Sequence, residues 1–239
     1  MRDHIVISCE HGGRRIPPRY RSLFERQQAL LDSHRGWDLG ALVLAKEMAL
    51  AFGAPLFAST TSRLLIDLNR SIGHPDLYSQ ATRDLPRARR AEIVARYYRP
   101  HRERIEVDVR DAIGRGERVV HIASHSFTPE LNGTVRDADI GLLYNPARTG
   151  ELTLALYWLH ALTALRGDLR VRRNYPYAGK ADGLTAFLRR TYSPAEYVGI
   201  ELEVNQKHVL RGGSTWKRLR IDLISALCTA LAQSSDPTS

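Results

Sequence analysis

The feature that most constrains the fold is the order in which two kinds of apolar pattern follow one another along the chain. Short apolar runs with β-branched residues stand at 4–9, 55–60, 63–68, 118–124, 138–144, 168–173 and 197–203. Longer helical patterns lie at about 37–52, 86–114, 150–166, 183–191 and 215–233. Strands separated by helices are joined by crossovers, which predicts an α/β fold with a mixed, mostly parallel sheet flanked by helices. No internal repeat or low-complexity linker breaks the 239 residues. A single domain over 1–232 is expected, followed by a polar tail at 233–239.

Composition excludes several classes. Hydrophobic residues at 43% and charged residues at 26% are those of a folded soluble protein rather than a disordered one. The opening MRDHIVISCEHGG has no signal-peptide core, and the longest apolar stretch, 41–52, is interrupted by Lys46 and Glu47. A cytoplasmic protein with no membrane partner is the expectation. Cys9 and Cys228 are too few for a disulfide framework or a thiolate metal site, and both read as buried apolar residues.

The net charge of +9 raises the question of nucleic acid. The excess is almost all arginine, densest at 83–110, where Arg87, Arg89, Arg90, Arg96, Arg99, Arg102 and Arg104 interleave with Glu92, Glu103, Glu106 and Asp108. Helical spacing of opposite charges predicts an exposed, ion-paired helix instead of a phosphate track. A basic nucleic-acid-binding module therefore ranks below an enzyme, and no nucleic-acid partner is expected.

The enzyme reading starts from where polar residues fall against the strands. His11 follows the run 4–9, Asn69 and Arg70 follow 63–68, His125 ends 118–124, and Glu203 ends 197–203. Ligands of open α/β sheets bind at the carboxyl edge, so four runs would deliver reactive groups to one rim. Two imidazoles and one carboxylate are a usual protein set for catalytic zinc. Asp38, in the first turn of the helix 37–52, and Glu10, next to His11, compete for the carboxylate place, and Asp38 also suits a plain helix-start role. His4, His34, His74, His121, His160 and His208 read as structural, and His101, beside Pro100, as either structural or supporting the site.

These residues also carry a resemblance. ISCEHGGRRIP, HRGWDLGAL, SRLLIDLNR, RYYRPHRER, ASHSFTP, NYPYAGKADG and IELEVNQ occur in the order and approximate spacing of the N-formylglutamate amidohydrolase family, across nearly the whole chain. That family is similar in fold to zinc carboxypeptidases. The resemblance implies one zinc ion per chain, with His11, Asp38 and His125 as ligands, and Glu203 as the general base. It implies that the Asn69–Arg70 pair holds a substrate carboxylate. One departure is that Arg14 stands where the carboxypeptidase pattern has its second ligand, three residues after the first histidine.

Arg63 suits either a substrate carboxylate or an ion pair with Asp67, and Asn174 and Tyr177 mark a turn-rich loop able to cover a substrate. The implied reaction is hydrolysis of a small anionic N-acyl amino acid, with N-formyl-L-glutamate giving formate and glutamate. A related amidase or peptidase on another acyl-amino acid is the alternative.

Overall fold

A computed structural model describes residues 2–234 of the chain. Its strands are β1 (Asp3–Cys9), β2 (Leu56–Ala58), β3 (Arg118–Phe127), β4 (Glu130–Leu131), β5 (Thr134–Val135), β6 (Ile140–Leu143), β7 (Val171–Arg173) and β8 (Tyr197–Asn205). Its α-helices are α1 (Gln28–Asp32), α2 (Ala41–Phe52), α3 (Arg87–Ile93), α4 (Arg99–Gly114), α5 (Thr149–Leu165), α6 (Leu184–Thr191), α7 (Gln206–Arg211) and α8 (Gly213–Ser234). Gln233 and Ser234 complete α8, and the rest of the expected tail, 235–239, lies outside the described residues.

Six strands form one sheet in the order β2-β1-β3-β8-β6-β7. Every pairing is parallel except β6 with β8, so the expected mixed, mostly parallel α/β sheet is found. Central β3 is buried along nearly all its length, as an apolar run covered on both faces must be. One face is covered by α2, α5 and α8, whose Leu44, Met48, Trp158, Leu223 and Leu227 form the largest core cluster. On α5, Leu154, Ala155, Trp158 and Leu162 recur at the spacing of one helical face. The other face is covered by α4 and α6, through Ile105, Val109, Leu184 and Leu188.

Two expectations fail in ways that matter for the site. Residues 63–68 are not a strand: the run is a sequence of turns, and Leu64, Leu65, Ile66 and Leu68 fill a third cluster with Tyr20, Phe24 and Ile93. Their backbone is held from outside the segment, Arg63 N donating to the Gly36 carbonyl and Asp67 N to that of Leu77. An apolar run buried on all sides looks like a strand in sequence whatever its backbone does. The helix expected from 37 starts at Ala41, because Gly40 takes a left-handed φ of 83° and Asp38 N is tied to the His11 carbonyl. A side chain at Gly40 would also strike Val209.

The arginine-rich run 86–114 is helical, but a π-turn at Val94–Tyr98 precedes Pro100, with Arg99 N donating to the Val94 carbonyl five residues back. Part of it is exposed and ion-paired, as in Arg96 with Glu92. Arg102 is instead buried, donating to the Leu68 carbonyl and lying over Tyr98 and Phe187. Cys9 is buried, but Cys228 is exposed, contrary to its expected place in the core. No helix among the described residues is long and apolar enough to cross a membrane.

Candidate active site

Three parallel strands bring polar side chains to one end of the sheet. His11 leaves the turn after β1, His125 lies inside β3, which runs on to Phe127, and Glu201 and Glu203 lie on β8. His125 and Glu203 are direct register partners. On the far side of Glu203 its partner is Gly141 of β6, where a Cβ would collide with the Tyr175 carbonyl. Glycine there lets the 174–183 loop cross over the sheet edge. Asn69 and Arg70 arrive from the turns that replace the expected strand, and Asp38 from the segment before α2.

These groups line a cavity of about 210 Å³. His11, Asp38, Arg63, Asn69, Arg70, His125, Tyr177, Glu201 and Glu203 all face it. Asn174 does not: its Oδ1 accepts from the backbone N–H groups of Tyr144 and Gly179, so the side chain is used to shape the loop. Tyr177 is half-exposed at the rim, its hydroxyl accepting from Arg136. His34, read from sequence as structural, also lines the cavity.

At the floor, one donor atom each from His11, Asp38 and His125 lie within 4.8 Å of one another. Asp38 Oδ2 is 2.9 Å from His125 Nδ1 and 3.4 Å from His11 Nδ1, and the two rings meet edge-on at 5.2 Å between centroids. Glu10, the competing carboxylate, faces away from this point, with Oε2 3.2 Å from His125 Nε2 on the opposite side of the ring. His11 Nε2 donates to Asp67 Oδ1 at 2.7 Å. Arg63 donates to Asp67 from Nε and Nη2 and approaches Asp38 from Nη1. The ion pair anticipated between Arg63 and Asp67 is thus formed, with Arg63 still on the cavity wall.

The electrostatics follow from burial against pairing. Burial opposes charge on Asp38, but His11 and His125 hold its carboxyl below the usual range. Burial likewise opposes charge on His125, and hydrogen bonds to Asp38 and Glu10 more than offset it, raising its pKa well above the ordinary value. Glu203 has no such hydrogen-bond donor at Oε2. Burial above all, with Asp38 and Glu201, pushes its carboxyl up to about 8, against the opposing pull of His125 and Arg63.

The donor set suits a divalent metal. His11 Nδ1 is buried without a hydrogen-bond partner and aimed at Asp38 Oδ2, and buried polar atoms are seldom left so. Two imidazoles and a carboxylate leave a fourth position open for substrate chemistry.

Arg70 forms the outer wall with its Nη1 donating to the Asp182 carbonyl at 2.7 Å, and the Asp182 carboxylate accepts from the N–H and hydroxyl of Ser71. Asn69 Oδ1 accepts from Leu184 N at 2.7 Å. The Asn69–Ser71 turn is therefore latched to the start of α6. Sequence reasoning missed Asp182 and His34. Charge next to Gly183 in the loop motif was the one available signal for the first, and for the second only its place in the HRGWDLGAL block.

Comparison with known proteins agrees with the fold described above. A solved structure of gene product Atu2144 from Agrobacterium tumefaciens is similar at 28% identity, with a TM-score of 0.83 over 97% of this chain and 92% of that one. The structure of N-formylglutamate amidohydrolase from Ralstonia eutropha JMP134 shares the fold at 21% identity, with a TM-score of 0.70 over 95% and 93% of the two chains. No curated protein matches by sequence. The family model for N-formylglutamate amidohydrolase matches residues 3–210, and the chain belongs to that family.

Proposed function

We propose that the protein is a metal-dependent amidohydrolase that cleaves the amide bond of a small anionic N-acyl amino acid, N-formyl-L-glutamate first among candidates. The observation that carries this reading is the convergence of His11, Asp38 and His125 beside a buried carboxyl, Glu203, within one small cavity. These three residues would hold the metal, for which zinc is the first choice. When bound, a divalent ion supplies the acidity that activates water and polarises the scissile carbonyl.

The remaining steps belong to the chain. Glu203 is the general base: its Oε2 takes a proton from the attacking water and returns it to the leaving nitrogen, so that the amide gives an acid and an amine. Burial makes the ionised Glu203 carboxylate a stronger base, and the positive charge of His125 and Arg63 at the site favours that ionised form. Arg70 and Asn69 hold the substrate's α-carboxylate at the outer wall, where a guanidinium offers a planar fork. Tyr177 closes the rim. Arg63 holds Asp67 and Asp38, and its cavity-facing edge is a second place for substrate anion.

The test is release of free amine from a panel of N-formyl, N-acetyl and N-carbamoyl amino acids, with and without added zinc. Zinc-stimulated cleavage of N-formyl-L-glutamate is the expected result. Activity on none of the panel in the zinc-loaded protein would sink the reading.

A further inference from the structure

Two chains of groups, all buried except the part-exposed Arg63, run from the scaffold to the same point. In one, Arg63 grips Asp67 through Nε at 3.1 Å and Nη2 at 2.7 Å, and Asp67 Oδ1 receives His11 Nε2 at 2.7 Å. In the other, His101 Nε2 lies 3.6 Å from Glu10 Oε1, and Glu10 Oε2 lies 3.2 Å from His125 Nε2. Each imidazole thus has a carboxylate behind Nε2 and turns Nδ1 towards Asp38 Oδ2. Arg63 and Asp67 are four residues apart, but the links of Asp67 to His11, Glu10 to His125 and His101 to Glu10 join distant segments, so nothing local forces this symmetry.

A buried carboxylate is retained only when it is paired. Glu10 is wholly inaccessible and Asp67 nearly so. Among the described residues the side-chain partners of Glu10 are the two histidines, at ion-pair distance and without a formed hydrogen bond. With a cation between Asp38 and the two Nδ1 atoms, the carboxylate behind each Nε2 keeps the ring proton there and leaves the Nδ1 lone pair to the ion. It also makes that lone pair a stronger donor to a metal.

We infer that Asp67 and Glu10 are positioning residues for the metal centre. They fix His11 and His125 as Nε2–H tautomers that ligate through Nδ1, and Arg63 and His101 hold the two carboxylates in turn. The inference rests on the metal-site reading above. It removes Glu10 from the ligand set, gives Arg63 a role apart from substrate, and gives the π-turn before Pro100 a consequence, since it lies at the start of the helix that carries His101 to Glu10.

Long-range proton–nitrogen NMR spectra of the full chain loaded with zinc read the tautomers directly. Both histidines should show the proton on Nε2 and the metal-induced shift on Nδ1. Competition against a chromophoric chelator should show Asp67→Asn and Glu10→Gln each binding zinc roughly 10–100-fold more weakly, still at one ion per chain. A metal shift on Nε2 of either histidine overturns the inference. So do folded variants that hold zinc as tightly as the unmodified chain. If a variant does not fold, the unmodified protein's spectrum decides alone. An unmodified chain that takes up no zinc overturns the metal reading itself, and the inference with it.

Discussion

His125 on β3 and Glu203 on β8 are register partners across a parallel ladder. Partnered side chains leave the same face of a sheet about 4.8 Å apart, so the imidazole proposed as a ligand and the carboxyl proposed as base are held side by side by backbone hydrogen bonds alone. Glu201, two residues earlier, shares the face, but its Oε1 accepts the Thr185 hydroxyl at 2.7 Å. Glu203 Oε2 is the buried carboxylate oxygen left open at the cavity.

Glu203→Gln should therefore leave zinc content and substrate affinity near those of the unmodified protein while turnover falls roughly 10²–10⁴-fold, the range of general acid–base catalysis. Steady-state kinetics with metal analysis checks this. Glu201→Gln should have the smaller effect on turnover. The reverse ranking would move the base by one strand repeat, and loss of zinc in Glu203→Gln would make that carboxylate a ligand.

For the metal, His11→Ala, Asp38→Ala and His125→Ala should each abolish stoichiometric zinc, because each removes one of three converging donors. Elemental analysis after gel filtration reads the outcome. Full retention in His125→Ala would dismantle the site.

Much of the sheet is legible in sequence because its pattern is local: each of the six paired strands overlaps a short apolar run. The strands that deliver His11, His125 and Glu203 follow from the same pattern, although β3 and β8 run on to Phe127 and Asn205 and so hold His125 and Glu203 within the strand. What failed was local sequence read as local structure. The apolar residues of 63–68 are buried from several sides, and backbone hydrogen bonds from the run to the carbonyls of Gly36 and Leu77, with local turn bonds, set its turning path. Asn174 stands in a polar loop motif, yet its amide is consumed by two backbone N–H groups. The pairing of Glu10 with His101 spans 91 positions, and no spacing rule reaches that far.

Arg70→Lys keeps the charge and loses the planar fork, and the Asp182 carbonyl then competes for fewer N–H groups. KM should rise at least tenfold, with a smaller change in kcat, and an amidated substrate analogue should be poor for both proteins. Equal hydrolysis of free acid and amide by the unmodified protein would exclude carboxylate recognition at Arg70.

The last prediction concerns acid stability and lies away from the proposed metal. His121 is wholly buried in β3, its Nδ1 2.7 Å from the Tyr197 hydroxyl and its Nε2 2.7 Å from the Ser8 hydroxyl. Both hydroxyls can donate or accept, so they satisfy a neutral ring, the form that burial without a carboxylate partner favours. Burial dominates its titration and pushes its pKa down to about 4, with Glu10 pulling the other way. The unfolded chain has an ordinary histidine pKa of about 6.5. Between these values the unfolded state binds a proton that the native state refuses, so stability is full above about pH 6.5 and is lost as pH falls towards 4. From pH 7 to pH 5 this one group should cost about 2 kcal/mol. His121→Gln retains a donor and an acceptor but cannot titrate. Urea unfolding at the two pH values should show the variant losing about 2 kcal/mol less than the unmodified protein, the contributions of other groups cancelling in the difference. Equal losses in both would mean that another buried group carries the acid sensitivity.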